Sequence, residues 1–183
     1  MNRLTELPED FARLNLPEPL KQAILDLGFQ NTTPVQTQVL PHSLDGADII
    51  AQAQTGTGKT AAFSLPILHL LEQGDDFGAL CLVPTRELAI QVAEAFQSYA
   101  KHIKGFNVLP IYGGADIGGQ LRGLKRGAQV VVGTPGRMLD LLRQGILDLS
   151  TVRFVVLDEA DAMLQMGFIE DVEALLQATP PTR

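Results

Sequence analysis

The chain has 183 residues, 45% of them hydrophobic and 19% charged, and a formal net charge of −7. This is enough apolar material for one domain with a substantial core, and it excludes a disordered tail. The acidic balance argues against a general polyanion binder, so any nucleic-acid contact is expected from a local patch, from backbone N–H groups or from parts of the protein beyond this chain.

In chain order, Leu20, Ala23, Ile24 and Leu27 fall on one face of a helix that Gly28 should stop. Thr33-Pro34 reads as an N-cap followed by proline in the first turn, opening a second helix that ends near Asp45-Gly46. Strand candidates then alternate with helical segments. The strands are Asp48–Gln52, Ala79–Val83, Val108–Tyr112, Gln129–Gly133 and Arg153–Leu157. The helical segments are Lys59–Leu71, Arg86–Ile103, Gly118–Lys125, Pro135–Arg143, Glu159–Gln165 and Ile169–Gln177. Pro66 should kink or shorten the first of these. Ala79–Val83 and Phe154–Leu157 are apolar on both faces, which suits central strands of a parallel sheet covered by helices. In such an α/β fold, ligands gather at the carboxyl ends of the strands. No apolar run reaches the roughly 18–20 residues that span a bilayer, and Met1 to Glu6 show no secretory pattern. The single cysteine, Cys81, fits a reducing cytosol, and the three histidines are too scattered for a zinc cluster.

Two of the strand ends carry chemistry. Asp48–Gln52 leads into Ala53-Gln54-Thr55-Gly56-Thr57-Gly58-Lys59-Thr60 and then a helix. Glycines let the backbone approach phosphate oxygens, and a helix N-terminus offers free N–H groups. A lysine can pair with the terminal phosphates, and a hydroxyl can serve Mg²⁺. Gly56-x-Gly58-x-x-Ala61 also imitates a dinucleotide fingerprint, but Asp75 and Asp76 precede the next strand instead of ending it. Asp76-Phe77-Gly78 stands without a kinase catalytic loop and reads as a turn. The second end is Asp158-Glu159-Ala160-Asp161, after the apolar strand Arg153–Leu157. An aspartate there can hold Mg²⁺, and a neighbouring carboxylate can orient or deprotonate water. Acids at a helix start can also simply complement the macrodipole.

Asp158-Glu159-Ala160-Asp161 spells the tetrapeptide after which the DEAD-box RNA helicases are named, and the chain resembles that family along nearly its whole length. Gly28-Phe29 with Thr33-Pro34-Val35-Gln36 resembles the Q motif, and Phe11 stands where the family has an upstream aromatic. Ala53 to Thr60 resembles the family's phosphate loop. Pro84-Thr85-Arg86-Glu87-Leu88, Gly113-Gly114 and Thr134-Pro135-Gly136-Arg137 resemble its RNA-contacting motifs.

The resemblance implies a RecA-like ATP-binding domain over 38–183, preceded by a Q-motif region over 1–37. It implies that Gln36 reads adenine and that Phe11 stacks on the base. Ala53, Gln54, Thr55, Gly56, Thr57, Gly58, Lys59 and Thr60 would hold ATP, Thr60 and Asp158 would serve Mg²⁺ largely through water, and Glu159 would polarise the attacking water. Asp161 would couple this site to the other motifs, and Thr85, Arg86, Gly114, Thr134, Gly136 and Arg137 would face the RNA backbone. Guanidinium forks at Arg86 and Arg137 suit phosphate on chemical grounds alone. The implied activity is RNA-stimulated ATP hydrolysis coupled to local unwinding of RNA or remodelling of RNA–protein complexes, in the cytoplasm.

The family's Ser-Ala-Thr motif and second RecA-like domain are not in this sequence. The resemblance makes that domain the partner that supplies arginines to the γ-phosphate, an effect of roughly 10³–10⁵ in rate in related nucleotidases. This stretch alone is therefore expected to be monomeric and close to inactive. A noncatalytic module that holds nucleotide, RNA or a regulatory partner is the competing reading, and a DNA translocase is a third.

Overall fold

A computed structural model describes residues 6–54, 56–71 and 76–183. The chain forms two compact units, Met1–Glu72 with Ala95–Gly105, and Gln73–Glu94 with Phe106–Arg183.

The first unit is helical. It contains α1 (Glu9–Ala12), α2 (Glu18–Leu27), α3 (Pro34–Ser43) and α4 (Lys59–Leu70). Gly28 ends α2 at φ 71°, its N–H reaching the carbonyls of Ile24 and Leu25, which is the left-handed stop the sequence calls for. Leu20, Ala23 and Ile24 are buried, but Leu27, at the last turn of the apolar stripe, is 43% exposed. Thr33 caps α3 in a capping box with Gln36. α4 runs through Pro66 without ending. Pro66 has no N–H for the carbonyl of Ala62, four residues back. The Ser43 hydroxyl lies 3.4 Å from that oxygen, although its shorter contact is to the carbonyl of Val39 at 3.1 Å. Aromatic pairs tie the unit together: Phe11 on Phe29 at 5.8 Å, Phe29 on Tyr99 at 6.1 Å and Phe63 on Phe96 at 6.1 Å between centroids.

The second unit is built on a parallel sheet of β1 (Ala79–Leu82), β2 (Val108–Ile111), β3 (Val130–Gly133) and β4 (Phe154–Leu157), in the order β2-β3-β1-β4. Register pairs Leu80 with Val131 and Val155, and Leu109 with Val131. β1 and β3 are buried at every position, as expected for strands covered on both faces. The connecting helices are α6 (Ile117–Arg126), α7 (Pro135–Arg143), α8 (Ala160–Gln165) and α9 (Ile169–Gln177). Helix α5 (Arg86–Tyr99) begins in this unit and contributes its last turn to the other. Leu82, Ile111, Met138, Leu141 and Leu175 are buried in one apolar core.

Two expectations need correction. Asp48–Gln52 is irregular instead of a strand, with Ile49 40% exposed and Ile50 fully exposed. An apolar run is a strand only if another strand supplies hydrogen-bond partners, and none of β1 to β4 pairs with it. Phe154–Leu157, although apolar on both faces, is an edge strand, half-buried along its length and with Leu157 38% exposed. Among the described residues, no helix is long and apolar enough to cross a membrane.

Candidate functional site

In the first unit, the phosphate loop is held from beneath by the start of α3. Gly56 and Gly58 adopt φ 81° and 86°, a left-handed conformation natural to glycine. Gly58 is also packed so closely that a Cβ there would lie 2.5 Å from Gln36 Nε2 and 2.8 Å from Thr33 Oγ1. The Gln36 amide sits in this contact, 4% exposed. Its Oε1 accepts from the Thr33 N–H at 3.0 Å, and its Nε2 donates to the Gly58 carbonyl at 3.2 Å. These bonds leave one donor hydrogen and one acceptor lone pair on the amide.

Lys59 and Thr60 begin α4, both half-buried, and no side chain caps the helix N-terminus. Its first amides are therefore not taken by a capping side chain and, with the positive end of the dipole, suit an anion. The Thr57 hydroxyl donates to the carbonyl of Gln54, closing the loop on itself. Ala53 is half-buried and Gln54 exposed. Thr55 lies outside the described residues. Phe11 is fully enclosed against Phe29, so in this arrangement its ring has no open face to offer a base.

In the second unit, four chain segments leave the same edge of the sheet. The hydrogen-bond ladder continues past the strands: Val83 N–H donates to the Gly133 carbonyl, Thr134 N–H to Ile111 and Asp158 N–H to Leu82, each at 3.0 Å. This pins the exits of β1, β3 and β4 in register. After β1, the Thr85 Oγ1 accepts from the Leu88 N–H at 3.2 Å, so its hydroxyl hydrogen remains available to an acceptor elsewhere. Arg86 is exposed, its guanidinium 5.0 Å above the centre of the Tyr112 ring. After β2, Gly113 and Gly114 are exposed, with Gly114 at φ 77°. After β3, Thr134 and Pro135 open α7, which has no side-chain cap. Gly136 is half-buried in its first turn. Beside it, Arg137 Nη1 is buried without a hydrogen-bond partner, which is costly for a polar atom of a cation.

After β4 come the acids. Asp158 is 9% exposed. Glu159 stands at φ 53°, the one positive-φ residue other than glycine among those described, and it precedes α8 without capping it. Asp161 is exposed in the first turn of α8. Cys81 is fully enclosed in β1. Burial pushes its thiol pKa well up, and the Asp158 charge adds to this, so the sulfur is no nucleophile.

The structure thus gathers Thr85, Arg86, Gly114, Thr134, Gly136 and Arg137 at one edge of one unit, and it seats Gln36 on the phosphate loop of the other. Sequence reasoning missed three residues. Tyr112 lies under Arg86, Gln120 brackets Tyr112, and a Cβ on Gly133 would stand 2.6 Å from the Ile111 carbonyl. A glycine closing an all-valine strand was a readable signal for Gly133. Nothing local marked Gln120.

A DEAD/DEAH box helicase family model matches residues 33–183. The chain is similar to the ATP-dependent RNA helicase DeaD of Klebsiella pneumoniae, 51% identical over 180 residues, covering 97% of this chain and 28% of that protein. It is similar to the RNA helicase CrhR of Synechocystis, 51% identical over 177 residues, covering 97% of this chain and 36% of that protein. A solved DEAD box protein of Methanococcus jannaschii superposes with a TM-score of 0.90 at 45% identity, over 95% of this chain and 48% of that one. The chain therefore spans about a third of the curated relatives it matches, and its fold is the RecA-like α/β arrangement that the motifs led us to expect.

Proposed function

Because the chain belongs to the DEAD/DEAH box helicase family, we propose that it is the ATP-binding half of an RNA-dependent ATPase. In the full-length protein, hydrolysis drives local unwinding of RNA or remodelling of RNA–protein complexes. The observation that carries this reading is the set of RNA-type motifs leaving one sheet edge together, with an exposed Arg86 and a buried, unpartnered Arg137 nitrogen. Two guanidinium forks, the first-turn amides of α7 and the Gly113-Gly114 backbone form a phosphate-reading surface without base-edge contacts, so binding follows the backbone and not the sequence.

On the nucleotide side, Lys59 and the loop amides hold the phosphates, and Gln36 selects adenine with its remaining donor and acceptor. Phe11 would have to turn out of the core to stack on a base, so base selection rests on Gln36. The hydroxyl of Thr60 and the carboxylate of Asp158 are hard oxygen donors of the kind Mg²⁺ accepts, and that ion would neutralise phosphate charge. Glu159 takes a proton from the attacking water, and Asp161 couples hydrolysis to the RNA motifs. A second RecA-like domain of the same protein completes the RNA track and supplies arginine to the γ-phosphate. We further propose that the protein works in the cytoplasm and that this half alone is monomeric.

The test is ATP hydrolysis by the full-length protein with and without RNA. Stimulation by single-stranded RNA and not by DNA supports the reading. Nucleotide and RNA binding without turnover would establish the noncatalytic module instead, and equal stimulation by DNA would establish a DNA translocase.

A further inference from the structure

We propose that Tyr112 and Gln120 are positioning residues for RNA: Tyr112 is a platform that aims the Arg86 guanidinium at a phosphate, and Gln120 locks that platform in place. This rests on the reading of Arg86 as an RNA-backbone contact.

The geometry starts in α6. Gln120 is 7% exposed. Its Oε1 accepts from the Tyr112 N–H at 3.2 Å and its Nε2 donates to the Tyr112 carbonyl at 3.0 Å. A buried amide that satisfies both backbone groups of one residue continues the sheet ladder where the strand has ended. Tyr112 follows β2 directly and precedes Gly113-Gly114, so without the clamp a flexible pair of glycines would begin at the strand end.

The helix carrying the clamp packs closely on β2. A Cβ at Gly123, one turn beyond Gln120, would stand 2.5 Å from Leu109 Cδ1, so glycine there lets α6 approach without displacing the Leu109 side chain.

The platform acts on Arg86. Its guanidinium carbon stands 5.0 Å from the ring centroid, within cation–π range. The ring holds the guanidinium through its charge and accepts no hydrogen bond from it in the usual sense, so the N–H donors stay free for a phosphate. An exposed arginine otherwise samples many rotamers, and holding it over a ring lowers the ordering cost when RNA arrives.

The experiment is a double-mutant cycle on single-stranded RNA affinity in the full-length protein, read by fluorescence anisotropy at fixed salt. Arg86→Ala is expected to weaken binding about tenfold or more. Tyr112→Leu is expected to weaken it about 2- to 5-fold, the size of an exposed cation–π contact. Tyr112→Phe, which keeps the ring, should restore binding, and Gln120→Met should weaken it to the same extent as Tyr112→Leu. In the Arg86→Ala background, Tyr112→Leu should have no further effect. ADP affinity should be unchanged in Tyr112→Leu, which a general loss of structure would not allow.

If Arg86→Ala weakens RNA binding but Tyr112→Leu has no effect, or an effect independent of Arg86, the positioning role is overturned while the RNA surface stands. If Arg86→Ala leaves RNA affinity intact, the RNA-backbone reading of Arg86 fails and takes this proposal with it.

Discussion

Gly58→Ala tests the contact between the phosphate loop and the start of α3. Two separate costs are expected. Gly58 has φ 86°, and an L-residue in the left-handed region costs about 1–2 kcal/mol. The new methyl would also lie 2.5 Å from Gln36 Nε2 and 2.8 Å from Thr33 Oγ1. Gln36 must then withdraw and give up its 3.2 Å bond to the Gly58 carbonyl, a loss of about 0.5–1.5 kcal/mol. The capping box that shares the same amide is strained as well, with about 0.5–2 kcal/mol at stake. Alanine recovers about 0.4–1 kcal/mol by restricting the unfolded chain. The net expectation is a destabilisation of roughly 1–5 kcal/mol, centred near 3, read by urea unfolding. Gly56 is the control. It has φ 81° but no neighbour within 4 Å of a Cβ, so Gly56→Ala should cost about 1 kcal/mol. Gln36→Ala removes most of the obstruction, so Gly58→Ala made in that background should cost little more than Gly56→Ala. Equal costs for the two glycines, or strict additivity between Gly58→Ala and Gln36→Ala, would refute the contact as the cause.

In the full-length protein, Glu159→Gln should still bind ATP while single-turnover hydrolysis falls about 10²–10⁴-fold. Lys59→Ala should weaken ATP binding itself, and a Glu159→Gln enzyme with normal turnover would remove the carboxylate from its role. Asp26, hydrogen-bonded first to His102 at 2.6 Å and also to Gln22 and Lys101, has its carboxyl pKa lowered to about 2. Its contribution is therefore present above the ordinary carboxylate pKa, near 4, and is lost as pH falls through about 2. The stability gap between wild type and Asp26→Asn should be constant from pH 6 to about 5 and close as pH drops towards about 2; a gap that widens below about pH 4 would contradict this. Cys81 should resist thiol reagents in the native protein and react in step with urea unfolding. Stoichiometric labelling in buffer would mean that β1 opens locally.

Much of the site could be read in the sequence because its residues are constrained locally. Gly28, Gly58 and Gly114 stand where the backbone needs positive φ, and Thr33 with Gln36 forms a cap four residues long. Such features depend on neighbours in the chain. The misreadings depend on neighbours in space. Asp48–Gln52 has the composition of a strand, but composition does not supply the adjacent strand. Phe154–Leu157 has the apolarity of a central strand, yet apolarity reports the side-chain environment and not how many strands lie alongside. Phe11 was placed by a motif, whereas its burial against Phe29 depends on how α1 packs. Gln120 is one polar residue in a helix with a glycine on each side of its turn. Its role becomes visible once α6 is laid against β2.

The backbone at Glu159 helps to separate the two explanations of the acidic tetrapeptide. If acids stood there to complement the α8 dipole, the residue preceding the helix would be best as a short capping side chain in an extended conformation, bonded to a first-turn amide. Glu159 meets none of these conditions. It is long, its φ is 53°, and its side chain makes no capping bond. Glycine would relax that backbone, and aspartate or asparagine would tolerate it better. The same left-handed geometry precedes α4, where it is filled by glycine at Gly58. In α8 the conformational preference is overridden by a carboxylate on a longer arm, directly after a buried Asp158 whose N–H is fixed to the Leu82 carbonyl. A residue held against its own backbone preference at the end of a parallel strand is not explained by what its side chain does for the helix dipole.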